Sequence, residues 1–164
     1  MVRGGGGDWA WARDGAGNMP RYLTSVPTAW SPARAFGFMA DVRNFARWDP
    51  GVESVSVVTR DGPGPGASYD VVVRACPRRL VLRYAVEEWD APRRLLLVAR
   101  TATLRSVDEI RVEQADGGAV VTYDARLDLR GLLSAGNPLL SLVFRRVGDR
   151  AAAGLRSALG GEPP

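Results

Sequence analysis

The chain has 164 residues, of which 46% are hydrophobic and 24% charged, and its formal net charge is +4. This length fits one domain with a buried core, and the composition is typical of a folded globular protein. The sequence has no histidine and one cysteine, and its 22 basic residues are all arginine. These counts exclude a Ser–His or Cys–His catalytic couple, a lysine Schiff base and histidine- or cysteine-cluster metal sites. We expect no metal and no cofactor, so any catalysis would depend on carboxylates, tyrosines, arginines and water.

The arginines occur singly or in pairs, and they form no dense basic run. This spread is typical of a solvated surface; the alternative is a nucleic-acid footprint, which we do not expect. No stretch approaches the ~20 apolar residues of a membrane-spanning helix, and the N-terminus lacks the apolar core of a secretory signal. The sequence therefore predicts a cytoplasmic protein with no membrane span, either a monomer or a homodimer.

The first 18 residues contain a run of four glycines, Gly4 to Gly7, and no periodic pattern. Such a composition predicts a flexible N-terminal tail for residues 1–18. Residues 19–160 show patterns of regular structure throughout, so we assign them to one domain. Residues 161–164 are predicted to be a short C-terminal tail.

The domain is predicted to begin with a strand at Arg21–Pro27, followed by two short helices. Ser31 and Pro32 are typical of the N-cap and first position of a helix. The second short helix, Asn44–Trp48, ends at a turn. Six further strands follow, and their short connectors predict antiparallel neighbours. These strands are Val52–Arg60, Ser68–Cys76, Arg79–Trp89, Arg94–Arg100, Leu104–Glu113 and Ala119–Arg130.

A long helix is predicted for the end of the chain, beginning at Asn137-Pro138 and ending at Gly160. Its apolar residues recur at three- to four-residue spacing, which is typical of a helix buried along one face. They include Val143, Val147 and Leu155. A helix of about 20 residues spans ~30 Å and would cross the whole sheet. Because one helix cannot fill the concave face of a strongly curved sheet, we predict a cavity between them.

Four segments resemble a known family in their order and spacing. They are residues 42–50 (VRNFARWDP), 82–95 (LRYAVEEWDAPRRL), 117–125 (GGAVVTYDA) and the closing segment 129–159. Together they resemble the polyketide cyclase/dehydrase branch of the START-like (SRPBCC) superfamily. The resemblance implies an α+β helix-grip fold, with a curved antiparallel sheet of about seven strands wrapped around a long C-terminal helix. This superfamily includes lipid carriers, quinone binders, aromatase/cyclases and hormone sensors, so the fold does not select among these functions.

Strand side chains alternate between two faces, and this alternation predicts which residues line the cavity. The inward sets are mostly aliphatic with a few polar groups, as in typical small-molecule sites. Glu88 also has inward parity, whereas Glu109, Arg111, Asp124 and Arg126 are expected to face water. The candidate ligand-binding residues are Trp48, Tyr69, Val71, Leu82, Tyr84, Ser106, Asp108, Tyr123, Leu127, Val143 and Val147.

Asp108 is the one candidate catalytic residue, because its parity places a carboxyl on the same face as Leu104, Ile110 and Val112. Burial raises the pKa of a carboxyl toward the range useful for general acid–base catalysis. Alternatively, an arginine or backbone amides neutralise it, or a bulge turns it outward.

Other candidates also have purely structural interpretations. The tyrosines could be core aromatics whose hydroxyls reach the surface. Trp48 either packs the second short helix onto the rim of the sheet or covers the cavity. Cys76 is interpreted as a small hydrophobic residue at a strand end.

Three functions follow from these observations. The first is binding of a hydrophobic small molecule, such as a lipid, a quinone or a polyketide-like aromatic. The second is an enzyme of the cyclase/aromatase type, in which the cavity folds a reactive chain and Asp108 with Tyr84 or Tyr123 moves protons. The third is an interaction module whose core is filled by its own side chains. The sequence leaves open whether the protein is an enzyme.

Overall fold

The computed structural model describes residues 20–59, 62–75, 78–129 and 137–160. The predicted tails, 1–18 and 161–164, and Cys76 lie outside the described residues. No helix in the described ranges is long and apolar enough to cross a membrane.

A seven-stranded sheet forms the body of the protein. Its spatial order is β1-β7-β6-β5-β4-β3-β2, and every neighbouring pair is antiparallel. This arrangement confirms the predicted antiparallel sheet and its strand count. The strands are β1 (Arg21–Thr28), β2 (Val52–Val57), β3 (Ser68–Ala75), β4 (Arg78–Asp90), β5 (Arg94–Arg100), β6 (Leu104–Ala115) and β7 (Gly118–Leu129).

Two short helices follow β1, as predicted. Helix α1 (Pro32–Ala40) has Ser31 as its N-cap, whose hydroxyl accepts a hydrogen bond of 3.4 Å from the backbone N–H of Arg34. A 3₁₀ turn (Val42–Asn44) then leads into α2 (Phe45–Trp48). The second predicted helix is therefore real, but its first residue belongs to the tighter 3₁₀ turn.

The chain closes with α3 (Asn137–Gly160), a helix of 24 residues. Ala151, Leu155 and Leu159 of this helix are buried in the main core together with inward residues of the sheet. The inward set of β6 is buried as well, with Leu104 7%, Ile110 0% and Val112 2% exposed. The concave face and α3 thus enclose the core, which is the predicted architecture.

The outer face of the sheet differs from the prediction at two carboxylates. Glu109 and Asp124 were expected to face water, yet each is only 3% exposed. Arg21 donates two hydrogen bonds of 2.8 Å to Asp124, and Arg126 pairs with the same carboxylate. Arg94 and Arg111 pair with Glu109 at 2.7 and 2.8 Å. Long arginine side chains can cover polar and apolar surface together, so these carboxylates are buried without losing their partners.

Glu88 also lies on a different face from the one predicted. The pairing of β4 with β5 shifts register between Val86 and Glu88, so that Glu88 lies opposite Leu96. Leu96 belongs to a small apolar cluster separate from the main core, and Glu88 pairs with Arg94 beside it. One extra residue at a bulge inverts the alternation beyond it. Trp89 consequently takes the inward position and packs edge-on against Phe36, with ring centroids 5.2 Å apart.

Candidate ligand-binding cavity

A cavity of about 240 Å³ lies between the concave face of the sheet, the end of α2 and the described part of α3. Its walls come from β2, β3, β4, β6 and β7, so the curvature of the sheet brings distant parts of the chain together. Most of the side chains that line it are aliphatic or aromatic. The lining residues are Phe45, Asp49, Gly51, Val52, Val71, Val73, Arg74, Leu80, Leu82, Tyr84, Leu104, Ser106, Asp108, Tyr123, Ala125, Leu127 and Val147.

The structure brings most of the candidate ligand-binding residues to this cavity. The candidates that line it are Val71, Leu82, Tyr84, Ser106, Asp108, Tyr123, Leu127 and Val147. Trp48 and Tyr69 are buried in the core but are not among the lining residues. The side chain of Val143 lies outside the described residues. Contact of any of these side chains with a ligand stays a prediction.

A chain of hydrogen bonds runs along one wall of the cavity. The hydroxyl of Tyr84 donates to Oγ of Ser106 at 2.8 Å, and Ser106 in turn approaches Oδ1 of Asp108 at 3.5 Å. The hydroxyl of Tyr123 donates to Oδ2 of Asp108 at 2.9 Å. Three hydroxyl side chains from β4, β6 and β7 therefore converge on one carboxyl. Each points inward because its strand parity is that of the neighbouring aliphatic residues.

Asp108 is 4% exposed, and none of the ion pairs in the described part of the chain includes it. Burial raises its pKa from 3.8 to about 7; hydrogen bonds from Tyr123, Tyr84 and Ser106 oppose this rise, and the nearby charge of Asp49 adds to it. Among the described residues, neither an arginine nor a backbone amide neutralises the carboxyl, and no bulge turns it outward. Among these residues the hydrogen-bond partners of the carboxyl are hydroxyl groups, and burial brings its pKa into the neutral range.

The two tyrosines of this wall are themselves buried, with Tyr84 and Tyr123 each 6% exposed. Burial raises the pKa of both phenols well above 10, and the charge of Asp108 raises it further. Both hydroxyls therefore stay protonated at neutral pH and act as hydrogen-bond donors. They are core aromatics and cavity residues at once.

Asp49 is a cavity residue that sequence analysis missed. It follows α2 directly, and its Oδ1 accepts a hydrogen bond of 2.7 Å from the backbone N–H of Gly51. Burial raises the pKa of this carboxyl as well. The Asp-Pro-Gly sequence predicts only a turn, and no strand alternation was available to show that its side chain faces the cavity.

Trp48 packs against the polar wall of the cavity, which is formed by Tyr84, Ser106, Asp108 and Tyr123. Its ring packs edge-on against Tyr123 with centroids 5.3 Å apart, and the Phe45 ring lies 5.0 Å from Trp48 and 6.3 Å from Tyr123. Trp48 is 2% exposed. It therefore packs α2 against the sheet, the first of its two predicted roles, and it is placed to hold the Tyr123 ring in position.

The cavity opens at one end, where the lining residues become exposed. Leu80 is 36% and Val147 40% exposed, and the Arg74 side chain is 67% exposed. Arg74 lies 3.7 Å from Glu53. These exposed lining residues, which come from β3, β4 and α3, mark the mouth of the cavity. Within the described ranges, no group of three metal-ligating side chains is present.

The sequence model of the family described as "Polyketide cyclase / dehydrase and lipid transport" matches residues 19–160. Solved structures with the same fold include a START superfamily protein from Mycobacterium smegmatis, with 13% identity and a TM-score of 0.68. That match covers 87% of this chain and 97% of the other. The aromatase/cyclase Zhui from Streptomyces sp. R1128 has 16% identity and a TM-score of 0.66, over 86% of this chain and 91% of its own.

A protein from Thermus thermophilus is similar at 17% identity and a TM-score of 0.68, covering 86% of this chain and 96% of its own. No curated protein matches the chain. At these identities the likeness of the solved structures establishes the helix-grip fold, and the chemistry of the cavity has to be argued from its own residues.

Proposed function

Because the chain belongs to the polyketide cyclase/dehydrase and lipid transport family, which matches residues 19–160, we propose that it binds an apolar small molecule in the cavity beneath α3. A lipid, a quinone or a polyketide-like aromatic has the required character. The observation that carries the proposal is the cavity itself, about 240 Å³ with mainly apolar walls and one polar wall. Sites with this composition bury the body of a ligand and orient it through a few polar groups.

The two kinds of wall have different tasks in this proposal. Aliphatic side chains such as Val71, Leu82 and Leu127 remove the apolar body of the ligand from water, which supplies most of the binding free energy. The hydroxyls of Tyr84 and Tyr123 and the carboxyl of Asp108 lie together on one side, so a polar group of the ligand would be held in one orientation. The cavity also counts against the third function considered from the sequence, a module with a filled core.

We expect an environment-sensitive apolar dye to bind with roughly micromolar affinity, equivalent to about 8 kcal/mol. Leu127→Trp should weaken this affinity about tenfold or more, because the larger side chain occupies part of the cavity. Fluorescence titration of the purified protein measures both effects.

Leu23→Trp is the matched control for this experiment. Leu23 is 54% exposed on β1 and does not line the cavity. The same substitution there should leave dye affinity unchanged. Equal affinity of the parent protein and Leu127→Trp would place the dye elsewhere and contradict the proposed site.

The second candidate function is catalysis of the cyclase/aromatase type, and Asp108 is the observation that favours it. A general base works best when its pKa lies near the operating pH, and the pKa of Asp108 is about 7. In this function the carboxylate of Asp108 would remove a proton from carbon next to a carbonyl. The hydroxyls of Tyr123 or Tyr84 would donate hydrogen bonds to the carbonyl oxygen as negative charge develops there.

Asp108→Asn separates the two candidates, because the amide keeps the size of the carboxyl but cannot act as a base. For an enzyme, we expect ligand affinity to survive and turnover of a polyketone chain to fall by ~100-fold or more. Product formation followed by mass spectrometry, beside affinity from the dye titration, gives both quantities. Full turnover in Asp108→Asn would rule out Asp108 as the base.

A further inference from the structure

Among the described residues, the two carboxyls that line the cavity lack the arginine partners that the buried carboxyls Glu109 and Asp124 have. On the outer face, Glu109 and Asp124 are each surrounded by arginines at 2.7–2.8 Å. Asp49 and Asp108 line the cavity, and none of the ion pairs among the described residues includes either. The molecule thus supplies cations to its buried carboxylates everywhere in the described ranges except inside the cavity.

Arg74 is the one basic side chain among the described lining residues, and it is poorly placed to neutralise the two carboxyls. Its guanidinium lies at the mouth, 3.7 Å from Glu53, with 67% of the side chain exposed. From the described part of α3, the lining residue is Val147, which carries no charge. The other polar groups that the described residues place around Asp108 are the hydroxyls of Tyr84, Ser106 and Tyr123 and the carboxyl of Asp49.

We propose that the cavity selects ligands in which a protonated amine is attached to an apolar body, and that it rejects carboxylates of the same shape. The inference rests on the proposed function, binding of an apolar small molecule, and names the polar end of that molecule. An ammonium group would supply the cation that Asp49 and Asp108 lack among the described residues. A ligand carboxylate would instead add a third negative group to a poorly hydrated space.

The affinity for an amine should depend on pH, because the carboxyls that pair with it titrate. Burial raises the pKa of Asp108 to about 7 and raises that of Asp49 above its ordinary value. Above pH 7 the carboxylate of Asp108 is ionised and attracts an ammonium ion. As the pH falls below 7, Asp108 becomes protonated and must lose that proton to pair with the amine. The affinity for an amine should therefore fall, and its binding should release more protons.

The test compares three compounds with one fused two-ring body: 2-naphthylmethylamine, 2-naphthylmethanol and 2-naphthoate. At pH 8 we expect the amine to bind about tenfold more tightly than the alcohol, and the carboxylate to bind about tenfold more weakly than the alcohol, each about 1.4 kcal/mol. At pH 5.5 the advantage of the amine should shrink severalfold. Isothermal titration calorimetry in two buffers of different ionisation enthalpy measures affinity and proton release together.

Asp108→Asn and Asp49→Asn identify the groups responsible. We expect Asp108→Asn to lose most of the preference for the amine over the alcohol, together with the pH dependence of that preference. Asp49→Asn should lose a smaller part. Glu113→Gln is the control, since Glu113 is exposed on the same strand as Asp108 and does not line the cavity. Thermal unfolding of each variant verifies that it is folded.

The outcomes distinguish this inference from the function on which it rests. If the alcohol binds and the amine binds no better, the selectivity is refuted while the binding function stands. If the carboxylate binds most tightly, the selectivity is refuted in the same way. If none of the three compounds binds and the apolar dye does not bind either, the binding function fails and the inference fails with it. An amine preference that survives both aspartate variants also overturns the inference.

Discussion

Gly154→Ala is expected to destabilise the protein by about 3 kcal/mol, although alanine is the better helix former. In an exposed helix interior the same change stabilises by up to ~1 kcal/mol. At position 154 an added Cβ would lie 1.9 Å from the backbone oxygen of Trp48 and 2.9 Å from its carbonyl carbon. Because this neighbour is backbone rather than a flexible side chain, α3 and α2 would have to move apart.

The displaced residue is the one that supports the cavity wall. Trp48 packs against Tyr123, and Tyr123 donates the 2.9 Å hydrogen bond to Asp108. Gly154→Ala should therefore weaken binding of an apolar dye as well as lower stability. The free energy of unfolding from urea denaturation and the dye affinity measure the two effects separately.

Gly37→Ala is the matched control, because Gly37 also lies within a helix. It is exposed in α1, and an added Cβ there would meet no atom within 4 Å. This variant should be more stable than the parent by about 0.5–1 kcal/mol. The two glycine variants thus have opposite expected signs. A Gly154→Ala protein as stable as the parent would contradict the close approach of α3 to α2.

The alternation of apolar residues was enough to predict the sheet and most of the cavity wall. In β6 and β7 the inward residues repeat every second position without interruption, so Ser106, Asp108 and Tyr123 could be placed on the concave face from the sequence. Helix α1 could also be predicted from the sequence, because Ser31 and Pro32 are a local signal for a helix N-terminus and do not depend on tertiary contacts. Elements with a regular apolar pattern and strong capping residues are determined by interactions between residues close together in the sequence, so they can be predicted from the sequence.

The residues that could not be placed depend on contacts between distant segments. Glu88 faces outward because of a bulge in the pairing of β4 with β5. No residue in the sequence of β4 predicts this bulge. Asp124 is buried because Arg21, 103 positions earlier in the chain, lies beside it in the sheet. Asp49 reaches the cavity because the turn after α2 is folded against β2. Alternation predicts the face of a strand residue, but it cannot predict which partner covers that face.

The free energy of unfolding is expected to decrease as the pH rises from 5 to 8, and Asp108 is the main cause. The sequence has no histidine, so few groups other than a perturbed carboxyl titrate in this range. The pKa of Asp108 is about 7 in the folded protein and 3.8 ordinarily. At pH values between these two pKa values, Asp108 is protonated in the folded state and ionised in the unfolded state. Lowering the pH therefore favours folding.

The size of this effect follows from the difference between the two pKa values. Each pKa unit corresponds to about 1.4 kcal/mol. Protonation of Asp108 therefore contributes up to ~4 kcal/mol to the free energy of unfolding when the pH is below the pKa of the unfolded state, and almost nothing above pH 8. Between pH 5 and pH 8 the expected loss is roughly 2–3 kcal/mol. Arginine-paired Asp124, whose pKa is lowered, acts in the opposite sense, but its contribution is lost only below the range of this comparison.

Asp108→Asn isolates the contribution of this carboxyl. The amide can accept the hydrogen bond from Tyr123 and can donate to Ser106, so it resembles the protonated acid and does not titrate. We expect the free energy of unfolding of this variant to match that of the parent at pH 5 within about 1 kcal/mol and to exceed it by roughly 2 kcal/mol at pH 8.

Asp49, which remains in the variant, changes the stability of both proteins in the same direction. Glu113→Gln, on the same strand and exposed, is the control and should show the same loss of stability from pH 5 to pH 8 as the parent. If Asp108→Asn is instead less stable than the parent at pH 8, the carboxylate is ionised and well satisfied in the fold. The raised pKa of Asp108, on which the catalytic candidate and the amine selectivity depend, would then be wrong.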